Sequence, residues 1–597
     1  MLANNEIRVL DLLPSPSKND TAIKCELRGI PLSAEAEYEA ISYVWGDQTV
    51  TETIEVSGRQ VTITRGLHEM LLRLRLPTEK RTIWIDQVCI DQWNLEEKKQ
   101  QVQLMREIYK HCSRCLVWLG EIKEPVSLAD AERGWELLTY LGEANGAEDP
   151  NDPSEIPEPR AISHGQTVLY DAIKALWSSA DQGNPWWNRI WTVQEAAIPE
   201  NLILLWGPLT LPWETLTQAA AIWIDPGCPD CLSDLLTPET TEIISNLMTH
   251  VIWLNAAKEG RNDLPLDVIH TWRFRKSTDP RDKIYGLLGL CEPGILPITE
   301  KCDYVSPAST VFRSLTLELM IAEQNLRSLI ANVRIDPDNA TPGIASWVLD
   351  LVTIGPTYLT DWYSRAYGYE HFDASGSLEP LDPSSLVTQH QAKTLSLTGV
   401  CVDTIAVVES GFRTKTIADN ENIPPEQLEH IVGSWYDMVR GKGKYKNNEP
   451  LPRRYIGGPY TSDKAFARTV LGDLIRDDNH WVIREANAKD LSAVFRFMNL
   501  CEESSDIRRT IYDVAANQIF FTTKMGLIGT GHLDTEPGDE VWVLRGGNIP
   551  FVLRPTANDR KTEYNFVGQS YVQGLMKGEM FRRGICKIDN EQTIHMV

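Results

Sequence analysis

Three short tryptophan-rich strings in the first 210 residues hold the residue types from which a ligand cleft can be built: YEAISYVWGD (38–47), WIDQVCIDQWNLEEKKQQVQLMREIYKHCSRCLVWLG (84–120) and WWNRIWTVQEA (186–196). Each sets polar or acidic groups straight after an apolar run or on a Trp-flanked helix. Trp191 and Glu195 lie four apart and so share a helix face, with Asn188 three residues earlier. A carboxylate beside an indole is partly desolvated, which raises its pKa or holds it ready for ribose hydroxyls. Tyr43, Trp45, Gly46 and Asp47 close the first string, and Asp86 opens the polar part of the second. Indoles offer flat faces for stacking a base or a pyridine ring, and Gly46 and Gly120 permit close backbone approach. Arg65 and Arg189 are the nearest cations in sequence. A plainer reading stands beside this one, in which the aromatic residues fill a core and Gln194–Glu195 faces water.

For these groups to meet, strands must deliver them to one end of a sheet, since ligands of open α/β sheets bind outside the strands' carboxyl ends. IRVLDLL, AIKCELRGI and AISYVW are short apolar runs, and TIEVSGRQVTIT alternates around Ser57-Gly58 as a hairpin does. GLHEMLLRLRL spaces Leu67, Met70, Leu71 and Leu74 as a helix. RTIWIDQVCI reads as a buried strand. Asn94 and Glu97 then make a capping box for a helix with Leu95, Val102, Met105, Tyr109 and Cys112 on one face. CLVWLG and NLILLWG are further strands, and Asn184-Pro185 starts a helix over 187–197. Strands alternating with helices predict an α/β N-terminal domain on a mainly parallel sheet, residues 1–210.

The rest divides into a helical extension (211–330), a mixed α/β middle region (331–460), a helical connection (461–515) and a β-rich C-terminal domain (516–597), a small antiparallel sheet or barrel. Its strands include GLIGTG, DEVWVLRGG, YNFVGQSYV and FRRGICKI. Residues 142–160, rich in Pro, Asp and Glu, read as an exposed insertion.

A net charge of −25 excludes a broad surface for nucleic acid or anionic membrane. No stretch reaches the length of a membrane span, and the N-terminus lacks the basic and apolar regions of a secretory signal. Eleven cysteines without framework spacing suit a reducing cytosol, so the expected location is cytoplasmic. Two CxxC pairs, Cys112/Cys115 and Cys228/Cys231, have zinc-like spacing, yet the first straddles a helix end and a buried strand. Gly526-Leu-Ile-Gly529-Thr-Gly531 mimics a dinucleotide loop, but no helix follows it, so it reads as a turn between strands. Cys89 has no histidine near it and reads as a core thiol. His111 and His164 have no partner pattern.

YEAISYVWGD, WIDQVCIDQ with its helix, SRCLVWLG and NRIWTVQEA resemble, in order, the successive blocks of the fungal heterokaryon incompatibility (HET) domain, over about residues 38–207. RDKIYGLLGL, SWVLDL and the end segment resemble the extensions of full-length HET proteins. The resemblance implies a protein of fungal non-self recognition and programmed cell death, an innate-immunity role, with an incompatibility partner protein and homo-oligomers on activation. HET domains look like distant relatives of Toll/interleukin-1 receptor (TIR) domains, which implies a TIR-like, flavodoxin-like sheet. NRIWTVQEA is similar to the block that carries the glutamate of TIR enzymes that cleave NAD⁺, and that glutamate matches Glu195. The comparison implies catalysis by Glu195 on NAD⁺ as substrate, with no cofactor and no metal. Tyr43, Trp45, Gly46, Asp47, Asp86, Arg189 and Trp191 are the expected nucleotide-binding residues. A non-enzymatic death-signalling adaptor, acting through homotypic contacts, is the alternative. Several TIR enzymes place basic residues after their first strand, where this chain has Val44-Trp45-Gly46-Asp47.

Overall fold

The computed structural model describes residues 5–17, 20–33, 37–144, 166–177, 184–224, 236–260, 264–332, 340–353, 368–389, 392–412, 424–446, 448–476, 483–500, 505–557 and 562–597. Most of the acidic stretch 142–160, together with His164 and the Cys228/Cys231 pair, lies outside the described residues. Two compact units divide the chain, Met1–Val305 and Ser306–Val597, a coarser division than the five segments read from the sequence.

The first unit is built on nine strands: β1 (Glu6–Leu12), β2 (Lys24–Pro31), β3 (Glu39–Tyr43), β4 (Thr51–Val56), β5 (Arg59–Thr64), β6 (Arg81–Trp84), β7 (Arg114–Trp118), β8 (Leu202–Trp206) and β9 (Leu209–Pro212). They lie in the order β5-β4-β2-β1-β6-β3-β7-β8-β9. β3 runs parallel to β6 and β7, and β7 parallel to β8. β1 and β9 join either side of this core antiparallel, and β4 and β5 form a hairpin on the β2 edge. The sheet is therefore mixed rather than mainly parallel: a continuous parallel ladder runs through β6-β3-β7-β8, where all-apolar runs such as LILLW can be buried on both faces. β2 pairs with β1 antiparallel and with β4 parallel.

Its helices include α1 (Arg65–Leu74), α2 (Asp86–Cys89), α3 (Leu95–His111), α4 (Leu128–Ala144), α5 (Gln166–Leu176), α6 (Thr192–Ala197) and α7 (Trp213–Ile224). α1 buries Leu67, Met70, Leu71 and Leu74, the face its spacing predicts. RTIWIDQVCI does not stay extended: β6 stops at Trp84, and Asp86–Cys89 turn into a helix. The Asn94 side chain accepts from the Glu97 amide, as the capping box requires. The inward face of α3 differs from the apolar stripe: Glu97, Gln101, Met105, Ile108 and Tyr109 are buried, whereas Leu95 is exposed and Cys112 lies past the helix end. Glu97 is drawn inward by Arg8, whose guanidinium grips both its oxygens at 2.7 and 2.6 Å. Gln101 donates to the carbonyl of Glu6 at 3.0 Å. A buried ion pair thus sets the rotation of the helix.

In the second unit, helix Ala308–Glu323 precedes β10 (Leu395–Ser410), a strand of 16 residues. A short hairpin of β11 (Leu474–Arg476) and β12 (Ile483–Glu485) and the helices Ala488–Leu500 and Ser505–Ala515 follow. The last strands are β13 (Gln518–Thr523), β14 (Ile528–His532), β15 (Glu540–Leu544), β16 (Phe551–Pro555), β17 (Glu563–Val572) and β18 (Gln592–Met596). β13-β14-β17-β16-β15-β10 form one run of neighbours, and β10 pairs back onto β13, so the six close into a barrel. β10 can do this because its first half pairs with β15 and its second half with β13, with a register shift at Ile405/Val407. The barrel therefore takes a strand from well before residue 516. FRRGICKI is not a strand: Glu579–Arg582 is a helical turn, and the last strand comes later, at β18. The glycine-rich GLIGTG is the turn and strand that follow β13, with Gly526 at φ +88°.

Candidate functional site

β6 ends level with Ala40 of β3, which runs on to Tyr43, and the segments that leave the two strands wall a cleft of about 550 Å³, within the size range of small-molecule sites. Beyond β3 the chain turns at Gly46, whose φ of +71° is a conformation that few side chains adopt. The turn folds Trp45 back, so that its indole N–H donates to Asp86 Oδ2 at 2.9 Å. The amide of Gln87 donates to the other Asp86 oxygen at 2.7 Å, fixing the carboxylate that holds the indole. Burial pushes the Asp86 carboxyl up, against the pull of Arg189 and the Trp45 bond.

The opposite side comes from 186–197, which is not one continuous helix. Pro185–Asn188 is a single 3-10 turn capped by Asn184, and Arg189 is extended and bridges Lys276. The amide of Ile190 donates to the Lys276 carbonyl at 3.0 Å, and α6 begins only at Thr192. Trp191 and Glu195 still share a turn, because the Glu195 amide bonds the Trp191 carbonyl at 3.3 Å.

Glu195 is 5% exposed. Its carboxylate accepts from the Ser42 hydroxyl at 2.5 Å, and the Ser42 oxygen accepts from the Trp186 indole at 2.7 Å. Burial is the main cause that pushes its carboxyl up to about 7, with Arg189 and the Ser42 bond opposing and the Asp86 charge adding. A carboxyl in this range can be ionised or protonated near neutral pH.

The cleft brings together Trp45, Gly46, Asp86, Arg189, Trp191 and Glu195. Four expected participants lie elsewhere. Tyr43 is buried behind the wall, its hydroxyl donating to Gln87 Oε1 at 2.6 Å, and it touches the site only through its carbonyl, which accepts from Arg189 at 2.7 Å. Asp47 is exposed and ties its own turn, accepting from the amide and hydroxyl of Thr49 at 2.9 and 2.7 Å. Gly120 is spent on the turn after β7, at φ +92°, where its carbonyl accepts from the Gly207 amide. Arg65 also points away, paired with Glu69 at 3.2 Å on an exposed face.

Sequence reading missed the far wall. Lys98, Lys276, Asp279, Asp282 and Tyr304 line the same cleft. Arg281 grips Asp279 at 2.9 and 2.7 Å, which holds that carboxyl below its usual range despite its burial. The Tyr304 hydroxyl donates to Asp282 Oδ1 at 2.7 Å, and Trp191 is a second hydrogen-bond partner of the same carboxyl. The Lys98 ammonium sits 4.8 Å from the centre of the Tyr304 ring. One signal was available: the Asn94 cap starts α3 four residues before Lys98, close behind the β6 end. Nothing in the pattern of residues 276–304, RDKIYGLLGL included, sets them at the cleft, because their place depends on the Arg189–Lys276 bridge, a contact of two distant segments.

The remaining signals are structural. Cys89 is fully buried and its thiol is pushed up to about 12 by burial. Cys112 and Cys115 are buried, and burial raises both thiols. His111 lies 3.2 Å from Glu107, one helical turn away. Among the described residues, no group of three or more His, Cys, Asp and Glu could hold a metal ion, and no helix is long and apolar enough to cross a membrane.

Comparison with known proteins places these features. Residues 38–195 match the family described as heterokaryon incompatibility protein (HET), and residues 476–585 match the Het-6 beta-barrel domain. Across 97% of its length the chain is 26% identical to heterokaryon incompatibility protein 6, OR allele, of Neurospora crassa, covering 94% of that protein. No solved structure matches.

Proposed function

We infer, for a chain that is a heterokaryon incompatibility (HET) domain protein, that the cleft beside Glu195 binds NAD⁺ or a related nucleotide and cleaves its nicotinamide–ribose bond. One observation carries this reading: a carboxyl poised near neutrality in the wall of a cleft that also holds two indoles and the cations Lys98, Arg189 and Lys276. The cations are suited to a pyrophosphate and the indoles to a base or nicotinamide ring.

In the reaction, the bond from ribose C1′ to the pyridinium nitrogen breaks and its electron pair leaves with nicotinamide, which needs no proton. The sugar passes through an oxocarbenium-like state, which ionised Glu195 stabilises by its charge or through the ribose hydroxyls. Water then adds to C1′ and releases a proton, giving ADP-ribose. Ser42 and Trp186 hold the carboxylate in place; Asp86 holds Trp45, and Asp282 holds Trp191. NAD⁺ is consumed, so it is a substrate and no cofactor is required. The setting is the fungal cytoplasm, where assembly of copies, set off by an incompatibility partner protein, starts cell death in this reading.

The test is NAD⁺ consumption and nicotinamide release by the full chain and by Glu195→Gln, with crowding agents to favour assembly. Turnover by wild type alone supports the reading; absence of turnover by a demonstrated oligomer overturns it. The adaptor reading draws on a different observation. Trp93 is 96% exposed and Leu95 53% exposed at the start of α3, and an exposed indole next to a leucine suits a homotypic contact. Under that reading Trp93→Ala abolishes killing and Glu195→Gln does not.

A further inference from the structure

We propose that β5 is an interaction edge, which pairs antiparallel with β5 of a second copy of this chain and so joins two nine-stranded sheets into one. The sheet ends at β5 on one side and β9 on the other, and among the described residues each pairs with a single neighbour. The two edges are not alike. β9 (LTLP) follows Pro208 and ends at Pro212, residues with no N–H to offer a further strand. Proline, lysine and bulges are among the usual guards of a strand edge. β5 (RQVTIT) has none of them, and it pairs with β4 in unbroken register from Arg59 to Thr64.

The hydrogen-bond pattern fixes which groups are open. The Glu55 amide donates to the Ile23 carbonyl, on the β2 side, and the Arg65 amide donates to the Val50 carbonyl, both at 3.0 Å. Alternation along the strands then turns the peptide groups of Val61 and Ile63 toward β4. Those of Gln60 and Thr62 point out of the sheet. The side chains of Gln60 and Thr62 are exposed, Val61 is half-buried and Ile63 is buried.

Antiparallel pairing is the two-fold arrangement in which both copies use the same peptide groups. Opposed residues must share a face, so the axis passes through a residue, and Val61 and Thr62 are the two that keep the strands overlapped. With the axis at Thr62, Arg59 stands opposite Arg65 of the second copy, and like charges directly opposed are destabilising. With the axis at Val61, Gln60 lies opposite Thr62 in both directions, and their outward groups can make four hydrogen bonds. Val61 then meets Val61 of the second copy, and Arg59 lies opposite Ile63. Ile63 is itself paired with Glu52 of β4, so Arg59 and the second copy's Glu52 lie two strand spacings apart, about 10 Å, on one face. Both side chains are exposed and long enough to meet across Ile63. Charge therefore selects the register at Val61. The pairing rests on the sheet alone, apart from the chemistry proposed for Glu195 and from the exposed Trp93.

Sedimentation velocity of the full chain tests it. Two strands of this length bury less than a standard interface, so a dissociation constant on the order of 100 µM is expected, within a series run to about 300 µM. Val61→Lys, which sets two ammonium groups face to face, is expected to weaken the dimer at least about tenfold, and an equimolar mixture with Val61→Glu to restore it. Under mild oxidation Val61→Cys is expected to join two copies at the substituted position at least about fivefold faster than Thr62→Cys, since such opposed residues lie about 4.5 Å apart between Cα atoms. Trp93→Ala should leave the dimer unchanged. Where Val61→Lys does not fold, Thr62→Pro removes an outward N–H without touching the bonds to β4 and is expected to weaken the dimer likewise. A wild-type chain that stays monomeric throughout, a dimer that both edge variants leave intact, a dimer that Trp93→Ala abolishes, or faster joining at position 62 would overturn the proposal.

Discussion

In the first unit, β6, β3, β7 and β8 run side by side and their ends stop short, leaving polar segments to wall a cleft; in the second, β10 runs on until the sheet meets itself. The difference sets what each unit can hold. At an open strand end the walls are loops and helix starts, which bring charges of both signs: Arg189, Lys98 and Lys276 face Asp86, Glu195, Asp279 and Asp282. On the side of a closed barrel the walls are strand faces and a covering helix, which bring apolar groups and amides around one carboxylate. The first arrangement suits a charged ligand, whereas the second offers a mainly apolar surface.

The largest blow to this contrast should come from Glu195→Gln. NAD⁺ turnover is expected to fall about 10²- to 10³-fold, as when a group stabilising transition-state charge is lost. Stability should move the other way. The folded carboxyl titrates at about 7, above its ordinary value of 4.5, so the folded state holds the proton more tightly than the unfolded state does. Ionisation therefore costs stability as pH rises past 4.5, and the cost is complete above 7. Glu195→Gln removes this cost. At pH 8 it is expected to raise unfolding free energy by up to about 3 kcal/mol, with no gain at pH 4, as denaturant melts at the two pH values will report. Loss of both turnover and stability would mean that the residue is structural.

Gly399→Val attacks the barrel instead. A Cβ at Gly399 would lie 2.4 Å from the Val543 carbonyl oxygen and 2.9 Å from Leu544 Cα, both backbone atoms of β15. The expected cost is about 1–3 kcal/mol, read as faster hydrogen exchange of β10 and β15 amides. NAD⁺ turnover by the purified, folded chain should be kept.

A smaller effect is expected from Asp282→Asn, which keeps the shape but weakens the hold on Trp191 and Tyr304. KM for NAD⁺ should rise about tenfold with kcat changed less; an equal fall in kcat would place Asp282 in the chemistry. The mildest test is the pH profile of wild type. Activity that needs ionised Glu195 should rise with pH and level off above about 7, and a flat profile from pH 5 to 9 would count against it.

Much of the first unit was legible in the sequence, because strands buried on both faces leave continuous apolar runs and a capping box marks a helix start. The fate of side chains at the strand ends was harder to read. Trp45, Asp86, Trp191 and Glu195 meet, as string and spacing suggested, but Tyr43 and Asp47, in the same string, do not line the cleft. Their neighbours decide this: Gln87 takes the Tyr43 hydroxyl and Thr49 takes the Asp47 carboxylate. Helix 187–197 was read as continuous because nothing local shows that Arg189 will bridge Lys276. The inward face of α3 departs from its apolar stripe because a hydrophobic stripe cannot register a buried Arg8–Glu97 pair. In the second unit the strands of 516–597 were plain except the last, while closure by β10 was not, since pairing between remote strands leaves no local trace.

That closure also bears on how the polypeptide matures as it leaves the ribosome. Thr398 of β10 and its partner Thr593 of β18 are 195 residues apart in the chain. At about 5–20 residues per second, β10 waits on the order of 10–40 s for that neighbour to be made. The parallel core of the first unit has all its strands by Trp206 and can form while the second unit is still being translated. Until β13 and β15 are made, this 16-residue strand, rich in Val and Thr, has both edges open, the kind of segment that pairs with other nascent chains, and its first residues stay open until β18. Demand for chaperones during synthesis should therefore be greatest in the interval between the emergence of β10 and that of β18.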